Sequence, residues 1–125
     1  MSSVVHFEIH AEDVQRAVDF YVAAFGWRTE DWSEFTGSPY IGVHTRAEGE
    51  PGINGGLGGA ANEFKGTVNT VGVDDIDAVL KKVIENGGQI VMPRDEIPGV
   101  GLLAYVREPG GAVIGLMQSF PGSGM

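Results

Sequence analysis

The chain contains no cysteine. Disulfides, thiolate metal sites and a thiol nucleophile are therefore excluded, and the composition suits a cytoplasmic protein. Its apolar residues never run to the ~18 consecutive positions that mark a membrane helix. The first residues lack a basic region followed by a long apolar stretch, so no signal peptide is expected. Bases are scarce, with 8 Lys and Arg against 17 acids and a net charge of −9. Such a balance repels nucleic acid and anionic membrane and tolerates a cationic or neutral small ligand. Acidity serves solubility equally well, so the charge excludes partners better than it names one. No phosphate loop, nucleotide fingerprint or Ser-His-Asp arrangement is present. The run "GINGGLGG" (Gly52–Gly59) has the glycines but not the strand-to-helix spacing of a nucleotide site.

What is there is glycine, 20 of 125 residues, and a 42% apolar fraction sufficient for one globular core. The glycines cluster between short apolar segments, as turns of an antiparallel sheet do. The chain is also written twice. Val14, Ala17, Val18, Tyr21, Val22 and Phe25 form one helical stripe, with Glu12 and Asp13 at its start and Gly26 at its stop. Ile76, Val79, Leu80, Val83 and Ile84 repeat that stripe, with Asp74 and Asp75 before it and Gly87 and Gly88 after it. A shift of 62 residues lays Val14 on Ile76, Val18 on Leu80 and Gly26 on Gly88. Asp77 and Lys81 stand four apart on the outer face, the spacing of an ion pair. Strands are expected before each helix, at "VVHFEIHA" and "GTVNTVGV". After the helices they are expected at Trp27–Trp32, Tyr40–Thr45 and Ile53–Leu57, then at Gln89–Pro93, Leu102–Val106 and Val113–Gln118. The last two make a hairpin through "REPGG". The pattern predicts an α+β fold. Residues 1–125 form a single domain of two βαβββ modules, about 4–59 and 66–120, pairing into a curved, mostly antiparallel sheet around a cavity.

"HFEIHAEDVQRAVDFYVAAFGW", "VNTVGVDDIDAVLKKVIENGGQIV" and "LAYVREPGGAVIGLMQ" resemble the vicinal oxygen chelate superfamily, the group of glyoxalase I, bleomycin-resistance proteins and extradiol dioxygenases. The segments "GINGGL" and "IPGVGLLAYVREPGG" look most like its branch of enzymes related to lactoylglutathione lyase. The resemblance implies paired βαβββ modules and usually a homodimer. In metal-dependent members it implies four ligands, His or Gln, Glu, His and Glu, on the first and last strand of each module. A divalent cation held there polarises vicinal oxygens of the substrate and stabilises the developing anion.

His6 falls on the first ligand position. The other three positions fall on Asn54, Gly55 or Gly56, on Val68, and on Gly115 within "AVIGLMQ". Three of four expected ligands are missing, and catalytic zinc sites typically keep about three. No cofactor is expected on that count. The function expected on this reading is binding of a small organic ligand in a cavity without the standard metal site. The alternative is a metal-dependent lyase, isomerase or dioxygenase with an irregular set, His6, Glu8 and His44. Strand alternation puts His6, Glu8 and His10 on one face if the first strand stays regular; Glu8 and His10 facing solvent or a dimer partner is the competing arrangement. Candidate ligand-binding residues are His6, Asn54, Trp32, Phe35, Tyr40 and Gly115. Trp32, Phe35 and Tyr40 would form an aromatic wall on a loop and strand edge. Gly115 and the glycines near 55–56 remove side-chain bulk, for a ligand or for a bulge. Asn69 either orients a polar ligand or lies outside. Phe7, Trp27, Tyr105 and Met117 read as packing, and "PRDEIPGVG" (Pro93–Gly101) as a loop able to form a rim or lid.

Overall fold

A computed structural model describes residues 2–36, 39–59 and 65–122, with the side chains of residues 35 and 36 outside the description. The first half contains β1 (Ser3–Ala11), α1 (Val14–Phe25), β2 (Arg28–Asp31), α2 (Ser33–Thr36), β3 (Tyr40–His44) and β4 (Asn54–Gly59). The second contains β5 (Gly66–Gly72), α3 (Ile76–Glu85), β6 (Gln89–Ile97), β7 (Gly101–Arg107) and β8 (Val113–Ser119). The chain is α+β, and each half runs βαβββ with the short α2 added in the first. His6–Val68 is one compact unit; the residues from Asn69 onward, joined by those before His6, are the other.

In the first unit the strands run in the order β2-β3-β4-β1, with β1 and β4 parallel and the remaining neighbours antiparallel. In the second the order is β5-β8-β7-β6, again with one parallel pair, β5 with β8, and two antiparallel ones. The repeat is thus present in pairing as well as in pattern.

The helices start as the acids indicate. Asp13 accepts from the Arg16 N–H and Asp75 from the Ala78 N–H, each at 3.1 Å, so both caps sit at positions related by the same shift. Gly26 closes α1 in the left-handed region at φ 72°, a conformation that residues with a side chain rarely adopt. The second helix departs by one residue. Its left-handed glycine is Gly87 (φ 89°), not Gly88, and its C-cap is Asn86. Asp77 pairs with Arg94 of β6 at 3.0 Å, where the sequence suggested Lys81.

Each helix covers one face of its own sheet. In the first unit Val18, Val43 and Leu57 are buried, with Phe7, Ile9, Val14, Ala17, Tyr21, Trp27 and Ile41 packed around them. In the second, Ile76 and Leu80 of α3 meet Val73, Ala104, Val106 and Leu116. Phe7 and Trp27 are therefore packing residues, as are the buried Tyr105 and Met117.

Two expectations are corrected here. The loop placed at Pro93–Gly101 is mostly strand: β6 continues to Ile97 and turns back tightly, with the Val100 N–H bonded to the Ile97 carbonyl at 2.9 Å. Pro93 is accommodated because β6 has a strand on one side only within its set, and its register with β7 shifts between Ile90 and Met92 and again between Met92 and Asp95. The stretch between Trp32 and Tyr40 is not plain loop, since it contains α2.

Candidate functional site

The side of the first unit's sheet that α1 leaves uncovered carries the polar residues. β1 stays regular to Ala11, so His6, Glu8 and His10 share this face, in register with Asn54, Gly56 and Gly58 of β4. On the next strand Gly42 lies beside Gly56 and Tyr40 beside Gly58. The middle of the face is therefore almost free of Cβ atoms, and two aromatic rings fill it.

The Tyr40 ring lies over Gly56. A Cβ built on Gly56 would stand 2.1 Å from Tyr40 Cζ and Oη, so only glycine is compatible with this ring position. The indole of Trp32 covers Gly42 in the same way, with a would-be Cβ 2.6 Å from the ring. Trp32 and Tyr40 are stacked, centroids 6.3 Å apart and planes 19° from parallel. The Trp32 N–H donates to the Glu30 carboxylate. His44 meets the indole edge-on at 6.2 Å.

The Tyr40 hydroxyl and His6 Nε2 are 3.1 Å apart. Burial holds the His6 imidazole below its ordinary value, against the opposing pull of Glu8, so the ring is neutral at pH 7. Burial first, and the Glu8 charge second, push the Tyr40 hydroxyl far up, so it is a phenol and never a phenolate at neutral pH. The two groups make a neutral pair in which one proton is shared and one lone pair or proton is left for a further partner.

Glu8 is 7% exposed and bonds His10 Nε2 at 3.0 Å. The other nitrogen of His10, Nδ1, faces the Gly59 carbonyl at 3.2 Å. Both partners of the ring are acceptors, which favours a proton on each nitrogen. The hydrogen bond to Glu8 accordingly raises the His10 pKa above its ordinary value, more than burial lowers it. The Glu8 carboxyl, buried on this face, thus has the His10 ring as a hydrogen-bond partner.

The remaining sequence candidates are placed elsewhere or are committed. Asn54 Oδ1 accepts from the Thr45 N–H at 2.9 Å, so this side chain clasps the β3–β4 connection. Phe35 falls in α2, and its side chain lies outside the described residues. Gly115 belongs to the second unit, where it pairs with Thr70 on one side and Tyr105 on the other. Thr70 is buried there, and its hydroxyl has no hydrogen-bond partner among the described residues. Val68 is buried and Asn69 exposed. The alternative metal set is spread over separate contacts, His6 to Tyr40, Glu8 to His10 and His44 to Trp32. Among the described residues no three His, Asp or Glu side chains gather in a metal-holding group. Sequence reasoning missed Gly42 as the seat of the Trp32 ring and His10 as the partner of Glu8. The alternation of His6, Glu8 and His10 was the one signal that pointed toward the last.

Comparison with known proteins follows the same lines. The model of the Glyoxalase/Bleomycin resistance protein/Dioxygenase superfamily matches residues 3–116. A Mycobacterium tuberculosis protein, CFP32, provisionally named a glyoxylase, is 32% identical over 114 residues, 90% of this chain and 44% of that protein. The anthracycline biosynthesis protein DnrV of Streptomyces peucetius is 26% identical over 128 residues, covering 90% of this chain and 45% of that one. The chain thus spans less than half the length of the curated relatives it matches. Among solved structures, the Streptomyces coelicolor methylmalonyl-CoA epimerase, in complex with 2-nitronate-propionyl-CoA, is similar with TM-score 0.66 at 18% identity, over 94% of each chain. That likeness concerns the fold.

Proposed function

Because the chain belongs to the Glyoxalase/Bleomycin resistance protein/Dioxygenase superfamily, we propose that it binds a small organic ligand on the His6–Trp32–Tyr40 face, without the divalent metal used by other members. The observation that carries this reading is the seating of Tyr40 on Gly56. At the β4 positions where the family resemblance calls for a carboxylate, Asn54 is bonded to the Thr45 backbone and Gly56 is covered by a phenol ring. His6, the one surviving ligand type, is engaged by that phenol. Val68 and Gly115, at the second-module positions, have no donor side chain. One neutral imidazole does not hold a catalytic divalent ion, so this donor set does not fit the metal and no step is routed through one.

The face suits a planar ligand with a polar edge. Trp32 and Tyr40 offer stacking area. The His6–Tyr40 pair offers one donor or one acceptor with no net charge, and the nearby Glu8 favours a neutral or cationic molecule over an anion. The relative named for anthracycline biosynthesis makes an anthracycline a reasonable first probe. A cytoplasmic location, in keeping with a chain without cysteine, is part of the same proposal, as is the absence of nucleic-acid and membrane partners.

The test joins metal analysis to ligand titration. Purified protein, incubated with zinc, nickel, manganese and iron(II) and then desalted, is expected to retain well under one equivalent of metal. Titration with an anthracycline, followed by quenching of tryptophan emission, is expected to saturate in wild type and to weaken at least about tenfold in Trp32→Ala, the loss of roughly one aromatic contact. One equivalent of metal that disappears in His6→Ala would overturn the reading in favour of a metal-dependent lyase, isomerase or dioxygenase.

A further inference from the structure

The chain contains two Asn–Gly dipeptides, Asn54–Gly55 and Asn86–Gly87. An asparagine followed by glycine is chemically labile. No side chain on the glycine keeps its backbone nitrogen away from the carbonyl carbon of the asparagine side chain. Whether those two atoms meet depends on the freedom of the peptide between them, and the fold treats the two dipeptides in opposite ways.

Asn54–Gly55 is held on both sides. It belongs to β4, which lies between β3 and β1. Gly55 is buried and pairs with Phe7 on one neighbour and Val43 on the other. Asn54 Oδ1 accepts from the Thr45 N–H at 2.9 Å, which fixes the side chain. Turning this peptide would break ladder bonds inside the sheet, where no water replaces them.

Asn86–Gly87 stands at the end of α3, and both residues are exposed. Asn86 is the C-cap, and Gly87 follows in the left-handed region at φ 89°. The Gly87 N–H donates to the Ile84 carbonyl at 3.2 Å, the long end of the normal range. Asn86 Nδ2 donates to the Lys82 carbonyl at 2.7 Å, so its amide is laid back along the last turn. Helix ends fray first, with water ready to take up each bond they release. Fraying by one residue frees the Gly87 nitrogen to swing toward Asn86 Cγ.

We propose that Asn86 is a modification site, deamidating without an enzyme through a cyclic imide with Gly87, at a rate set by fraying of α3. Solvent base takes the Gly87 N–H proton, the nitrogen bonds to Asn86 Cγ, and the Cγ–Nδ2 bond breaks. The leaving nitrogen takes a proton from water and departs as ammonia. Water then opens the imide. Cleavage at Cγ gives aspartate; cleavage at the backbone carbonyl gives isoaspartate, with the side-chain carbon now in the main chain. Water is the only co-reactant, and nothing is oxidised or reduced.

The products act on α3. Either one puts a carboxylate beside Glu85 at the negative end of the helix dipole and removes the donor to the Lys82 carbonyl. Isoaspartate also lengthens the main chain ahead of Gly87 and Gly88, whose N–H groups close the helix on Ile84 and, at 2.8 Å, on Val83. Val79 and Val83 pack against the second unit's core, so a loosened end weakens that packing. The site is in the second unit and does not rest on the ligand reading.

Peptide mass analysis of the intact chain, aged at about pH 8 and about 37 °C and then digested, tests the proposal. The peptide carrying Asn86 is expected to gain one mass unit at least about tenfold faster than the peptide carrying Asn54. In the urea-unfolded chain the two are expected to convert at similar rates, because the glycine neighbour is the same. Asn86→Gln, whose longer side chain closes the ring poorly, is expected to abolish the gain at this peptide. Asn86→Asp makes the linear product directly and is expected to lower the urea midpoint. Equal conversion of the two peptides in the folded chain overturns the proposal, and an unchanged midpoint in Asn86→Asp overturns the effect on α3.

Discussion

The decisive residue is a glycine. Gly56 matters for the atom it lacks, since Tyr40 occupies the space its side chain would need. Gly56→Ala is expected to destabilise by about 1–3 kcal/mol, the usual cost of overpacking, measured by urea denaturation. Tyr40→Ala added to Gly56→Ala is expected to remove most of that increment, because the nearest atoms to the added Cβ all belong to that ring. Simple additivity of the two changes would contradict the geometry. The histidines of the same face make opposite contributions to pH dependence. The His6 pKa is lowered on folding, so its contribution is present above the unfolded value of 6.5 and is lost as pH falls through the folded value. The His10 pKa is raised, so its contribution is full below 6.5 and is lost as pH rises through the folded value. Melting temperatures taken across roughly pH 5 to 8 should therefore change in two distinct ways. His6→Asn is expected to flatten the acid limb relative to wild type, and His10→Asn the limb above 6.5. Identical profiles for both variants would remove the assignment.

At the scale of the element, the two helices were the most legible feature of the chain. Their stripes, acids and glycines are local, and local chemistry sets a helix and its ends. Asp13→Ala and Asp75→Ala are each expected to cost about 1 kcal/mol and to add in the double variant, since the caps belong to different units. Non-additivity in chemical denaturation would show the caps to be coupled. Strands were read less well where a proline or a glycine run interrupted the pattern. β6 continues past Pro93 because its register with β7 slips, and β4 continues through Gly58 and Gly59 because its neighbours β1 and β3 hold it by backbone bonds. Both features depend on a partner strand, which a single segment does not reveal. α2 was missed because four residues are too few to show a helical period.

At the scale of the whole molecule, charge and family act together. A net charge of −9 favours a cationic ligand, so binding of a planar cationic ligand is expected to weaken as sodium chloride is raised from roughly 50 to 500 mM, through screening. Fluorescence titration at several ionic strengths checks this, and an affinity indifferent to salt would show that the charge plays no part in binding.

The amino-acid sequence by itself determined the duplicated βαβββ plan, the superfamily, the helix caps and the lack of ligand side chains at Val68 and Gly115, because these follow from local periodicity and residue identity. Only the tertiary structure decided what stands where the missing groups would be. The Tyr40 ring reaches Gly56 and His6 across strands that lie far apart in the chain, and Glu8 takes His10 as its partner by direct contact. Such meetings are fixed by strand register and by the space that absent side chains leave, and neither is written in any one segment.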